Sequence, residues 1–336
     1  TRSLLSDCMS NLFSTELFDK VLIDPLNKNA DKLCIVSGYA TATMVIRHLE
    51  YAKRINKELS IDLIIGMSVQ DGIERNNHKS LIELQSSKYN IDFNCFYVIN
   101  RPPIHSKVYT WLKQDLPFIG FVGSANYTQN GFSNSIREVL CEEDADECYS
   151  YFKGIKGEVI NCEDQRVNEY IEIFDRKIID KKEIIENSSE IESALNFDVS
   201  ELNLDSVKLS LLDKKTGEVP LRSGLNWGQR NGREPNQAYL NIPSKIGSNG
   251  FFPERFEVFT VITDDDKHLI CVRAQENGKG IHTTLNNSHM GEYFRYRLGL
   301  KNGQFITKAH LLNYGRSDVS FYKIDDENYF MDFSVK

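Results

Sequence analysis

The chain has 336 residues, of which 40% are apolar and 26% are charged, and its net charge is −8. This length exceeds the roughly 250 residues at which single hydrophobic cores stop growing, so two domains are expected, and the 19 Phe and 15 Tyr exclude global disorder. No apolar run approaches the roughly 18 residues of a membrane-spanning helix and no secretory signal is evident, so neither spanning nor secretion is expected.

The spacing of the cysteines and histidines gives no sign of a bound metal or cofactor. The seven cysteines are scattered without CxxC spacing, which predicts reduced thiols in a cytoplasmic protein. Six histidines form no metal-binding spacing and are expected to be ordinary surface or core residues: His48, His78, His268, His282, His289 and His310.

The charge is unevenly distributed along the chain. Residues 1–180 carry 20 Lys and Arg against 26 Asp and Glu, whereas residues 222–301 carry 11 against 8. A modest basic excess therefore lies within the second half, at residues 222–301, and non-specific DNA affinity comes mainly from such neutralised phosphates.

In chain order, the first half alternates strand and helix patterns. Strands are predicted at 32–39, 61–67 and 93–99, with helices at 42–55 and around Leu81 and Leu84. Such alternation is typical of an α/β sheet with mixed or parallel strands. Closely spaced strands at 104–111, 118–123 and 137–142 predict an antiparallel end to that sheet, and the acidic run 142–147 predicts a solvated helix start.

The second half has a different pattern. A charged, helix-prone stretch at 167–195 predicts a connecting helix, and beyond residue 207 short strands recur every 8 to 12 residues. That spacing is typical of a small barrel or pseudobarrel. We therefore predict an α/β mixed-sheet domain at 1–178, a helical linker at 179–200 and an all-β pseudobarrel domain at 201–336.

Five residues of the first domain predict phosphodiester chemistry. His105 and Lys107 lie two positions apart on a predicted strand, so their side chains should share a face, and Ser124 and Asn126 follow in the segment GSAN. An imidazole can attack phosphorus while ammonium, hydroxyl and amide donors hold the negative oxygens. Gly123 is expected to let the backbone approach the phosphate, and Glu138 to orient the histidine ring.

The alternative interpretation is purely structural. His105 could be a hydrogen-bonded core histidine and Lys107 a charged residue that protects an edge strand. The GSAN segment and the later Glu138 favour the chemical interpretation.

These residues resemble the phospholipase D superfamily motif, HxK followed by GSxN. The Asp usually found five residues after the Lys is Leu112 here, and the resemblance to the nuclease branch gives its supporting place to Glu138. The superfamily reaction uses two HxK motifs, and this chain contains one. The resemblance therefore implies a homodimer in which one His105 becomes phosphohistidine and the other protonates the leaving oxygen, without a divalent metal or other cofactor.

Two polar segments of the second domain, 222–239 and 275–297, have little apolar content and are interpreted as exposed arms. Arg, Asn and Gln pair with guanine and adenine edges, so two such arms could grip a DNA major groove. The alternative is that both are hydrated loops, with Arg295 and Arg297 paired to nearby acids. The candidate DNA contacts are Arg222, Asn226, Gln229, Arg230, Arg233, Lys279, Asn286, Asn287, Arg295 and Arg297.

The segments GLNWGQ, NQAYLNIP, FFPERFEVFT, KGIHT and YFRYRLGL resemble the C-terminal part of NgoFVII/NgoAVII-type restriction endonucleases. That family joins a phospholipase D-like nuclease domain to a pseudobarrel similar to the plant B-three DNA-binding domain and to the recognition domain of BfiI-type enzymes. The resemblance implies site-specific cleavage of foreign double-stranded DNA, a protecting methyltransferase, and in some relatives a separate ATPase subunit.

Two other functions remain open at this point. A phospholipase D-type enzyme acting on lipid would need a membrane-binding surface, and no basic amphipathic or apolar surface segment is evident. A catalytically silent or partner-gated DNA-binding protein would keep the second domain and lose the chemistry of the first.

Overall fold

The computed structural model describes residues 11–86, 91–133, 136–174, 205–265, 267–274 and 278–335. Contacts divide the chain into two units, Thr1–Phe197 and Asp198–Lys336. The predicted helical linker at 179–200 lies outside the described residues. Within the ranges given above, no helix is both long enough and apolar enough to cross a bilayer.

The first unit is built on a mixed β-sheet. Its strands are β1 Leu12–Phe13, β2 Lys32–Ser37, β3 Ser60–Ile65, β4 Ile73–Glu74, β5 Phe93–Val98, β6 Lys107–Lys113, β7 Leu116–Gly123, β8 Leu140–Glu143, β9 Val159–Asn161 and β10 Ile173–Phe174. Eight of them form one sheet with the order β1-β8-β7-β6-β2-β3-β5-β9, and β10 pairs with β4. The neighbours β2, β3 and β5 are parallel, and β2, β6, β7 and β8 pair antiparallel, which confirms the predicted mixed sheet with an antiparallel end.

Helices pack against this sheet, so β2 and β3 are buried along almost their whole length. A π-helix at Phe18–Ile23 leads into α1, and a 3₁₀ turn at Lys156–Glu158 follows α5. The α-helices are α1 Asp24–Asn27, α2 Ala42–Arg54, α3 Ser68–Asp71, α4 Arg75–Gln85, α5 Ala145–Ile155 and α6 Val167–Tyr170. Asp144 caps α5 by accepting a hydrogen bond from Glu147 N at 2.9 Å, so the acidic run is a helix start from Asp144 onward, whereas Glu142 and Glu143 end the preceding strand.

Two strands begin later than predicted, and both differences concern the candidate site. Strand β6 begins at Lys107 rather than 104, because Pro103 has no N–H to donate and Ile104 N bonds Gly66 O outside the β6 ladder. Strand β8 begins at Leu140 rather than 137. His105 and Glu138 therefore lie in the segments that lead into the strands.

The second unit is a seven-stranded sheet with the order β11-β16-β17-β13-β14-β15-β12. The edge strands β11 and β12 contact each other, so the sheet nearly closes and confirms the predicted pseudobarrel. Its interior packs aromatic rings, including Phe252, Phe259, Phe321 and Tyr329. The strands are β11 Ser206–Ser210, β12 Leu240–Asn241, β13 Val258–Thr263, β14 His268–Ala274, β15 Gly280–Thr283, β16 Asp318–Lys323 and β17 Asn328–Asp332. The helices are a 3₁₀ segment Gly224–Gln229, α7 Ser244–Gly247, α8 His289–Arg297 and α9 Lys308–Tyr314.

Candidate active site and nucleic-acid interface

A cleft of about 970 Å³ opens at one edge of the first sheet. In the antiparallel part of a sheet, one strand ends where its neighbour begins. The end of β2, the start of β6, the end of β7 and the start of β8 therefore meet at this edge. The structure brings all five residues predicted for phosphodiester chemistry to the lining of this one cleft: His105, Lys107, Ser124, Asn126 and Glu138.

His105 and Lys107 form the first pair of the cleft. The Lys107 ammonium donates to His105 O at 2.7 Å and lies 3.2 Å from each nitrogen of the His105 ring. Burial lowers the pKa of Lys107, and the charge of Glu138 opposes that shift. The prediction that both residues lie on one strand is wrong, because His105 precedes β6. The two side chains nevertheless contact each other and line the same cleft.

Ser124 and Glu138 form the second pair. The Ser124 hydroxyl donates a hydrogen bond to Glu138 Oε2 and accepts one from Val139 N at 3.0 Å. Among the described residues, the hydrogen bonds of the Glu138 carboxylate include none to the His105 ring. The expectation that Glu138 orients the histidine therefore fails in this structure, because its carboxylate fixes the Ser124 hydroxyl.

Gly123 allows two backbone segments to lie close together, whereas the sequence predicts that it lets the backbone approach a phosphate. A Cβ on Gly123 would lie 2.1 Å from Val139 O, directly before β8. Such a contact is far inside van der Waals distance, so any side chain would separate β7 from the segment leading into β8. The structure therefore gives Gly123 a packing role in place of the expected contact with a phosphate. The close contact of the two backbone segments keeps Ser124 beside Glu138.

Asn126 is held by the chain segment that follows β2. Its Oδ1 accepts a hydrogen bond from Tyr39 N at 3.2 Å and lies 3.4 Å from Ser37 Oγ. Ser37 Oγ also accepts from Tyr127 N at 2.9 Å, which ties the two segments together. With Oδ1 engaged, the Nδ2 group of Asn126 makes no hydrogen bond to a described residue and remains a donor for a ligand oxygen.

Sequence reasoning missed three residues that support the cleft: Gly38, Tyr39 and Asp71. A Cβ on Gly38 would lie 3.1 Å from His105 Cδ2 and 3.3 Å from Asn126 Oδ1. The Tyr39 ring meets the His105 ring edge-on at 6.1 Å, and its hydroxyl donates to Asp71 Oδ2 at 2.6 Å. A glycine directly after a buried strand is a signal for close approach and marks Gly38 in the sequence. Nothing local in the sequence links Tyr39 to Asp71.

The other histidines of the first unit have structural roles. His48 is fully buried and bonds Tyr127 Oη at 2.9 Å and Leu22 O at 3.1 Å. Burial lowers the pKa of His48 to about 4, so the ring is neutral at pH 7. Within the described ranges, no group of three or more His, Cys, Asp or Glu side chains is arranged to hold a metal ion.

The two predicted arms of the second unit are parts of its fold rather than exposed extensions. Segment 222–239 contains the 3₁₀ turn, where Leu225 and Asn226 are buried. Segment 275–297 contains β15 and α8, and α8 buries Tyr293 and Phe294, while residues 275–277 lie outside the described ranges. Their amide-rich composition therefore reflects hydrogen bonds to backbone as much as exposure.

Three candidate DNA contacts are fully buried or ion-paired within the protein, which corrects the prediction for them. Asn226 and Arg295 are fully buried. Asn226 bonds Pro220 O and both the N–H and C=O of Ile306, and Arg295 donates to Gly291 O, Pro235 O and Gln304 O. Arg297 pairs with Asp264 at 2.7 Å and Asp265 at 3.2 Å, as the structural alternative for that residue proposed.

The remaining candidates differ in exposure. Gln229 is partly buried and donates to Pro235 O and Gly303 O, and Asn287 is partly buried and accepts from Ala238 N through its backbone carbonyl. Five candidates have exposed side chains: Arg222, Arg230, Arg233, Lys279 and Asn286. These five are exposed enough to reach DNA, and their contact with it stays a prediction.

Comparison with known proteins gives a family match for each unit. Residues 15–169 match the model of the NgoFVII restriction endonuclease N-terminal PLD domain, and residues 200–325 match that of the NgoFVII C-terminal B3-like DNA-binding domain. No curated protein matches the sequence significantly.

Solved structures similar to the first unit include two bacterial proteins. NucT from Helicobacter pylori is 18% identical, with 45% of this chain and 98% of that chain covered and a TM-score of 0.31. The phospholipase D family member Nuc from Salmonella typhimurium is 12% identical, with 45% and 96% covered and a TM-score of 0.34.

Proposed function

The chain belongs to the NgoFVII restriction endonuclease family, and we propose that it cleaves specific double-stranded DNA through a phosphohistidine intermediate without a metal ion. The observation that carries this proposal is the cleft of the first unit, which holds an exposed imidazole, an ammonium, a hydroxyl and an oriented amide within one volume. The second unit supplies the DNA-binding domain, with exposed arginines as its candidate contacts.

The reaction has two displacement steps. In the first, a ring nitrogen of His105 attacks phosphorus and forms a P–N bond, while the P–O bond to the leaving strand breaks and the departing oxygen takes a proton from a second histidine. In the second, water gives a proton to that second histidine and attacks phosphorus, which breaks the P–N bond and regenerates both rings.

The donors of the cleft stabilise the negative oxygens in both steps. Lys107 Nζ lies beside the attacking ring, and Asn126 Nδ2 is directed by the hydrogen bond that holds its Oδ1. Fixed donors of this kind need no reorganisation when charge develops on the phosphoryl oxygens. Glu138 supports the site through Ser124, whose hydroxyl it holds in place.

The second histidine comes from a second copy of the chain. The sequence contains one HxK motif, so two His105 rings can meet one phosphate only across an isologous interface. Exposed apolar side chains at the cleft are consistent with that contact, because Ile136 lines the cleft at 48% exposure and Val139 lies beside Glu138 at 40%. The homodimer therefore forms through the nuclease unit.

Mixing of chains tests the shared site. Wild type and His105→Ala would be unfolded together at equal amounts, refolded and assayed on plasmid DNA. If both histidines are needed, about a quarter of random dimers keep them, and activity falls to about a quarter of an all-wild-type sample. Activity of about half would show that each chain acts alone.

Hydrolysis in excess EDTA tests the chemistry. Wild type should cleave plasmid DNA and bis(p-nitrophenyl) phosphate, and His105→Ala should lose at least about a thousandfold in rate while still binding duplex DNA. Ser106→Ala is the matched control, because the Ser106 hydroxyl contacts Tyr151 Oη and does not line the cleft. Cleavage by His105→Ala at the wild-type rate would refute the mechanism.

The same assay separates the other functions. Duplex binding without hydrolysis of either substrate identifies a silent DNA-binding protein, and hydrolysis that appears only with an added ATPase subunit identifies a partner-gated nuclease. Hydrolysis of phospholipid vesicles and not of DNA identifies a lipid phosphodiesterase.

A further inference from the structure

Arg233 differs from the other exposed arginines of segment 222–239 in how it is held. Its guanidinium carbon lies 4.0 Å from the centroid of the Trp227 ring, the distance of a stacked cation–π pair. Its Nη1 donates to Gln237 Oε1 at 3.0 Å. The face and one end of this guanidinium are therefore fixed before any ligand arrives, although the residue itself is exposed.

The stacking platform is itself braced. Trp227 packs edge-on against Tyr239 at 5.6 Å and tilted against His282 at 6.3 Å. Gly228 N donates to Gln237 O at 2.7 Å, which joins the turn that carries Trp227 to the residue that holds Nη1. We call Trp227, Arg233 and Gln237 the arginine stack.

The free edge of Arg233 has a defined chemistry. Its Nε and Nη2 atoms make no hydrogen bond with any described residue, and together they form the side edge of the guanidinium fork. Two parallel N–H donors match the O6 and N7 acceptors that guanine presents in the major groove. Arg230 offers no such edge, because its Nε donates to Arg222 O at 2.6 Å.

We propose that the arginine stack reads one guanine of the DNA target, with Arg233 as the base-contacting residue and Trp227 and Gln237 as its positioning residues. The proposal rests on the proposed DNA-binding function and gives one base of its specificity a structural origin. Preorganisation strengthens the contact, because ordering a free arginine on binding costs conformational entropy that the stacked residue has already lost. Lysine has neither the planar fork nor the stacking face, so it cannot replace Arg233 in this role.

The test is selection from a random-sequence duplex library with the full-length chain carrying His105→Ala, which leaves bound DNA intact. The selected consensus should contain a G·C pair at which Arg233→Lys loses about tenfold to a hundredfold of discrimination, with the other positions unchanged. Trp227→Phe and Gln237→Ala should weaken preference at the same pair by smaller factors. Arg255→Lys is the matched control, because Arg255 is also exposed and stacked, on Phe256 at 4.5 Å, and lies outside both arms.

Three other results would contradict the assignment of Arg233 as the base-contacting residue. If Arg233→Lys weakens binding to the consensus and to all of its single-base variants by one common factor, Arg233 contacts phosphate and the proposal is wrong. Unchanged affinities, or loss at the same pair in Arg255→Lys, overturn it as well. If the His105→Ala chain selects no duplex at all, the proposed DNA-binding function fails, a result distinct from failure of the arginine stack.

Discussion

The sequence predicts the residues of the cleft in the first unit better than it predicts the exposed residues of the arms in the second. All five residues predicted for the cleft line it, whereas three of ten predicted DNA contacts are fully buried or ion-paired within the fold. The cleft residues lie where strands end, and sheet register brings such positions to one edge. In the arms, composition alone cannot separate an arginine that binds backbone carbonyls from one that faces solvent.

The largest expected effect is on the chemistry of the cleft. Lys107→Met removes the ammonium beside His105 and should lower kcat by about a hundredfold to a thousandfold, because a fixed donor to the developing charge is lost. Single-turnover cleavage of plasmid DNA measures the effect, with duplex affinity as the control. A loss of kcat below about threefold would show that Lys107 takes no part in the chemistry.

A pair of arginine variants sharpens the contrast between buried and exposed candidates. Arg295→Met should remove a buried guanidinium that donates to three backbone carbonyls and destabilise the second unit by roughly 3 kcal/mol. Arg233→Met, at an exposed position, should cost less than about 1 kcal/mol. Hydrogen exchange of residues 222–239 and 298–307 measures both, and equal protection in the two variants would contradict the structural role of Arg295.

Acid destabilisation of the first unit tests the core assignment of His48. Its pKa is lowered to about 4 in the folded chain, so the unfolded state binds more protons between pH 4 and 6.5 and stability falls as the pH drops through that window. The loss amounts to roughly 3 kcal/mol, since each pKa unit corresponds to about 1.4 kcal/mol. Denaturant unfolding from pH 4 to 7 in a Trp227→Phe background isolates the signal of Trp111, which packs on His48 at 5.8 Å. His48→Gln should remove this pH dependence, and an unchanged slope would refute the assignment.

The smallest expected effect concerns the support behind His105. Tyr39→Phe keeps the ring that meets His105 and removes the hydrogen bond to Asp71, so kcat should fall by about threefold to tenfold with DNA affinity unchanged. Asp71→Asn, which keeps an acceptor for the hydroxyl, should retain most of the activity. Loss of DNA affinity together with kcat would show that Tyr39 acts on binding.

The sequence predicts the mixed sheet and the membership of the cleft because both follow from local patterns. Buried strand runs and the HxK and GSAN spacings are visible within short windows. The partners of Glu138 and Tyr39 are not, since they depend on which segments the folded sheet brings together. The prediction of Asn226 and Arg295 as DNA contacts is wrong for the same reason, because each bonds backbone far away in the sequence. Asn226 donates to Ile306 O, and Arg295 donates to Pro235 O.

Attack of His105 on phosphorus would leave a covalent protein–DNA intermediate that can be trapped. DNA labelled with ³²P within the cleaved strand would be mixed with the protein in EDTA, quenched at alkaline pH and digested for mass spectrometry. We expect label on the peptide containing His105 in wild type and in Ser106→Ala, and none in His105→Ala. Cleavage by the wild type with no labelled histidine, or with label on another residue, would contradict it.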